Sequence, residues 1–113
     1  MGIDKFAWKA GDVTVTPPDH DTIMVNRNLD GKVAEKNGNI GLAIQLYEAN
    51  VAEGFDGSHP YNRLAVIYHK MKRYDDEARV LKRAIEIYSN PNKGDNVKLQ
   101  KFKDRLAKLE NKR

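Results

Sequence analysis

With 113 residues the chain has room for one small domain but not for two with separate cores, and its 40% hydrophobic and 32% charged residues set it apart from disordered chains. The absence of cysteine excludes disulfides, thiolate nucleophiles and thiolate-held zinc, and no apolar run approaches the roughly 18 residues that a membrane span requires. The net charge of +4 is concentrated at one end, because residues 1–93 carry 13 basic and 13 acidic side chains whereas residues 94–113 carry seven against three.

The opening stretch, MGIDKFAWKAGD, lacks the apolar core of a secretory signal, so a cytoplasmic protein is expected. Residues 1–20 read as an extended arm. Val13-Thr14-Val15-Thr16 favours β structure, and Pro17-Pro18 ends any regular element. Phe6 and Trp8, two apart, share a face of an extended chain and are expected to pack on the helices or to meet a partner.

Helical periodicity begins at Asp19 or Asp21, either of which can cap a helix carrying Met24, Val25, Leu29 and Val33. Gly31 weakens that helix by about 1 kcal/mol relative to Ala. Lys36-Asn37-Gly38-Asn39 is a stop signal, with Gly38 suited to a left-handed cap. A second helix carries Ile40, Ala43, Ile44, Tyr47 and Val51. After the turn at residues 54–58, Ser58 and Pro60 mark the start of a third, with Tyr61, Leu64, Ala65, Ile67, Tyr68 and Met71. A break at Lys72-Arg73 precedes a fourth, with Tyr74, Ala78, Leu81, Ala84, Ile85 and Tyr88, which ends before Asn90-Pro91. The fifth starts near Asp95, and its stripe of Leu99, Phe102, Leu106 and Leu109 has helical spacing. The expected fold class is all-α, an array of antiparallel hairpins over residues 21–93 with a basic amphipathic helix over 94–113.

At an offset of 34 residues the chain resembles itself. Ile40 maps to Tyr74, Leu46 to Val80, Tyr47 to Leu81, Asn50 to Ala84 and Val51 to Ile85. The segment Tyr61 to Tyr68, continued through Arg73-Tyr74-Asp75, resembles the first helix and turn of a tetratricopeptide repeat. Gly38 to Asn50 resembles the second half of one, with Ala43 and Tyr47 on the motif's small and aromatic positions. Two departures stand out. Glu77 occupies a position where the family prefers a small residue, and Asp30-Gly31 falls where Leu64-Ala65 stands in the better repeat. About two repeats are therefore expected, with residues 95–110 capping the array. The alternative is that the last stripe, or the open side of the first hairpin, is covered by another chain as in a homodimer.

The resemblance implies a non-catalytic protein–protein interaction module or adaptor, whose first helices line a groove for a partner peptide or helix. Carried over, the groove residues are His59, Asn62, Val66, His69 and Lys70, and by subtraction of the repeat Val25, Asn28, Lys32, Glu35 and Lys36. This polar, basic lining suits an acidic or carboxylate-bearing peptide. The competing reading is a nucleic-acid-associated protein that uses the basic flank Lys98, Lys101, Arg105 and Lys108. A membrane-surface role is disfavoured by that helix's narrow apolar face. No cofactor or metal is expected, because His20, His59 and His69 lack metal-ligand spacing and no phosphate-binding or nucleophile motif occurs. Asp75-Asp76-Glu77 is read as an acidic first helical turn in which Asp75 can cap.

Overall fold

Helix formation starts at Asp19, whose carboxylate accepts the Thr22 backbone N–H at 2.7 Å. It thereby satisfies one of the donors that a first helical turn leaves unpaired. The computed structural model describes residues 19–92 and 95–112, so the arm expected over residues 1–20 lies, up to residue 18, outside the described residues. The described residues form α1 (His20–Lys36), α2 (Ile40–Ala52), α3 (His59–Lys70), α4 (Tyr74–Tyr88) and α5 (Asn96–Lys112), with no strand among them. Each helix packs on the next in sequence, and α2 also touches α4.

The turns between helices have a common chemistry. Gly38 lies at φ +81°, its N–H donates to Glu35 O at 3.0 Å, and the Asn39 N–H donates to Ala34 O at 2.8 Å. This is the Schellman arrangement, in which a left-handed residue redirects the chain while capping the last carbonyls. Gly54 at φ +74° repeats it after α2, with Phe55 N–H on Asn50 O at 2.9 Å. Lys72 at φ +60° repeats it after α3, with Arg73 N–H on Tyr68 O at 2.8 Å. Two expected caps differ. Ser58 makes no side-chain cap bond, and the cap of α4 falls at Arg73, leaving Asp75, Asp76 and Glu77 inside the first turn where the helix dipole favours them.

One core runs through the array. Tyr47, Tyr61, Tyr68, Leu64, Leu81 and Val80 are buried in it, joined from α5 by Phe102 and Leu109. The tyrosines bury their rings but keep polar partners for their hydroxyls. Tyr88 donates to Asp56 O at 2.6 Å, and Tyr61 donates to Phe55 O, so both hold the 53–58 loop. Burial pushes the Tyr61 hydroxyl up to about 12. Tyr68 donates to Glu48, which also pairs with Arg79 and so links α2, α3 and α4.

The first helix departs most from its expected role. Met24 is buried, but Val25, Leu29 and Val33 are 47%, 50% and 56% exposed. Gly31 is buried instead, and an added Cβ there would stand 2.4 Å from the Tyr47 ring. The glycine is therefore a point of close approach between α1 and α2, which its low helix propensity alone does not convey. Met71 is likewise exposed, because it caps α3 rather than lying in it.

Candidate functional site

α5 is fastened to the array by Phe102, whose ring centroid lies 6.3 Å from that of Tyr61 and 5.7 Å from that of Tyr88. Fixing that residue fixes the phase of the helix, and Arg105, Lys108, Leu109 and Lys112 then fall on one side at helical spacing. They face Val66, His69 and Lys70 of α3 across a groove of about 310 Å³. Val66 and Leu109 give the groove apolar walls, and Glu77 from α4 contributes its carboxylate. A second cavity of about 220 Å³ shares His69, Leu109 and Lys112 and extends to Tyr74. His69 stands between the two, edge-on to the Tyr74 ring with centroids 5.6 Å apart.

The electrostatics of the groove are lopsided. The Glu77 side chain is 5% exposed, and His69 Nδ1 lies 2.9 Å from its Oε1. None of the ion pairs among the described residues takes up Lys70, Arg105, Lys108 or Lys112. Four unpaired cations thus surround a partly apolar cavity that holds one carboxylate already bonded to His69. Low-dielectric walls strengthen such a field locally, and salt screens it beyond roughly 8 Å at physiological ionic strength.

The expected site residues divide into two groups. Val66, His69 and Lys70 are brought together in this groove. His59, Asn62, Asn28 and Lys32 are not among its lining residues. His59 Nε2 lies 3.3 Å from the Tyr47 hydroxyl, which donates to Glu35 Oε1 at 2.8 Å. Burial, and then the nearby Lys32, hold the His59 imidazole below its ordinary value. Lys32 is exposed, and Asn28 and Asn62 are half-buried.

Glu35 itself is committed to Arg63, which grips both carboxylate oxygens, at 3.0 Å and 3.1 Å from Nε and 2.6 Å from Nη2. The clamp ties α1 to α3, and the Arg63 hydrogen bonds hold the Glu35 carboxyl below its ordinary value of 4.5. A depressed carboxyl pKa stabilises the fold fully above 4.5 and loses that contribution as pH falls through the lower folded value. Arg63→Met should therefore cost about 1 kcal/mol at neutral pH, a modest figure because solvent reaches Arg63. Urea titrations should show the gap between parent and variant narrowing towards about pH 3. A gap independent of pH would assign the loss to packing instead.

Arg105, Lys108 and Lys112 belong to the helix whose basic flank had suggested nucleic acid, and the fold makes them the opposite wall of the groove. The only sequence signal for this is the offset of 34 between Tyr68 and Phe102, which sets α5 in register with α3. Among the described residues no three His, Asp or Glu side chains gather as a metal site. No described helix is long and apolar enough to cross a membrane. No family model matches the chain, and neither a curated protein nor a solved structure matches it.

Proposed function

We propose that this chain is a short tetratricopeptide-like array, without catalytic activity, that holds an acidic segment of a partner protein between α3 and α5. The repeat reading is supported by positions 34 apart that share a buried environment: Gly31 with Ala65, Ala43 with Glu77, Tyr47 with Leu81, Asn50 with Ala84, and Tyr68 with Phe102. The observation that carries the binding reading is the convergence of Lys70, Arg105, Lys108 and Lys112 on a cavity whose other walls are Val66, Leu109 and the His69–Glu77 pair. That combination fits carboxylates alternating with an apolar side chain, which can reach towards Tyr74 in the adjoining space. A phosphate backbone suits it less well, because it carries no apolar side chain to meet Val66 and Leu109.

Fluorescence anisotropy with a peptide of mixed Glu and Leu, run beside an oligouridine of equal length, separates the two ligands. The peptide should bind more tightly, and affinity should fall with added salt. Lys108→Glu together with Lys112→Glu should weaken peptide binding about tenfold or more without lowering the melting temperature, since both side chains are exposed. Unchanged peptide affinity in that variant, or preference for the oligouridine, would overturn the reading.

A further inference from the structure

Val25, Leu29 and Val33 recur every four residues along α1 and are about half exposed. They stand on the side of the helix opposite Met24 and Gly31, which face the core. Beside them, Val33 and Ala34 of α1 and Leu42 and Leu46 of α2 border a cavity of about 400 Å³. The open side of the first hairpin therefore exposes apolar side chains of both α1 and α2, with Asp30, Asn37 and Asn39 among them at the cavity, in contrast to the charged groove at the other end of the array.

The arrangement of α1 is symmetric about Leu29, the middle member of the stripe. A two-fold axis there would set Leu29 against Leu29 of a second copy and Val25 against its Val33. Charge follows the same symmetry. The first turn and its cap carry Asp19 and Asp21, and the second half carries exposed Lys32 and Lys36 beside Asp30, while Arg27 and Glu35 are taken up by Glu53 and Arg63. Antiparallel pairing brings the acidic end of each helix to the basic end of the other and opposes their dipoles favourably. Parallel pairing would set like ends together. A helix of 17 residues is about 25 Å long, enough for a seam of this kind to span the stripe and its charged ends.

We infer that two copies of this chain associate through an antiparallel α1–α1 contact centred on Leu29. The two acidic-segment grooves then lie away from the contact, so that the dimer presents two grooves at once. This inference does not depend on what the grooves bind.

Sedimentation equilibrium of the full chain over a range of concentrations should approach twice the chain mass of 12.9 kDa. Leu29→Glu should return the mass to that of one chain with unchanged helicity, because the side chain is exposed in a single copy. Lys36→Asp should weaken association about tenfold, and Asp21→Lys combined with it should restore affinity. A single-chain mass at every concentration would overturn the inference, including the case in which residues 1–18 cover the stripe and Leu29→Glu lowers the melting temperature of a monomer. A dimer that survives Leu29→Glu would overturn the surface, and failure of the charge swap to restore association would overturn the antiparallel register.

Discussion

Phe102→Ala should lower the unfolding free energy by about 3–5 kcal/mol, the usual cost of truncating a buried phenylalanine. The ring is 2% exposed and packs against both Tyr61 and Tyr88, so its loss leaves a cavity bounded by aromatic rings fixed through their own hydrogen bonds. Neighbours tied in this way have little freedom to collapse into the space, which favours the upper part of the range. The effect should also be local. α5 reaches the rest of the described chain mainly through α4, and Phe102 and Leu109 are its only fully buried residues. Hydrogen exchange should therefore find α5 amides losing protection before those of α3 and α4. Urea denaturation gives the energy, and a loss below about 1 kcal/mol would mean that α5 is not held by this ring. Because α5 forms one wall of the basic groove, the same variant should lose peptide affinity even under conditions where α1–α4 remain folded.

Gly31→Ala should destabilise the protein, reversing the ordinary sign. In an exposed helix interior, replacing Gly by Ala gains about 1 kcal/mol. At Gly31 the new Cβ would lie 2.4 Å, 2.8 Å and 2.9 Å from Cε1, Cζ and Cδ1 of Tyr47. The Tyr47 side chain is fully buried, and its hydroxyl is held by Glu35, so the ring cannot swing clear cheaply. Overpacking of this kind costs about 1–3 kcal/mol, and the 2.4 Å approach to a ring that cannot move puts Gly31 in the upper part of that range, which leaves a net loss of up to about 2 kcal/mol. Gly31→Val adds two methyl groups at the same contact and should lose at least about 3 kcal/mol. Gly41→Ala is the control, since a Cβ there meets nothing within 4 Å, and it should be neutral or stabilise by up to about 1 kcal/mol. Equal effects at Gly31 and Gly41 would remove the close approach from the packing of α1 on α2.

These residues also indicate where the fold could be read from sequence. Gly38 and Gly54 announce their turns, because the left-handed conformation they adopt is easy only for glycine. Lys72 adopts the same conformation with no such signal, so the third cap was visible only as a break. The core faces of α2, α3 and α4 follow from helical spacing, and Ala43, Tyr47, Tyr61, Leu64, Ala65, Tyr68, Ala78, Leu81 and Ala84 are buried as that spacing requires. In α1 the same rule misleads. Its most regular apolar residues form the exposed stripe, while Met24 and two small residues, Gly31 and Ala34, take the buried face because the helices approach closely.

About half of the basic groove was legible. Val66, His69 and Lys70 lie on the face of α3 that only the family resemblance singles out, since the buried residues of the helix leave that face open without saying that it binds anything. Arg105, Lys108 and Lys112 on their own helix look like an ordinary solvated flank. Their meaning arises only when Phe102 and Leu109 dock, since that contact turns the flank towards α3. Glu77 was conspicuous as a departure from the repeat pattern. Its partner His69 lies eight residues away, across the turn between α3 and α4, where sequence spacing carries no information about side-chain contact.

Binding in the α3–α5 groove is tested most directly by titrating the isotopically labelled chain with the mixed Glu and Leu peptide and following backbone amide shifts. Saturable shifts should concentrate at Val66, His69, Lys70, Arg105, Lys108 and Lys112, and should shrink as salt is added. Shifts centred on Val25, Leu29 and Val33, or none that saturate, would contradict the assignment of the groove as the partner site.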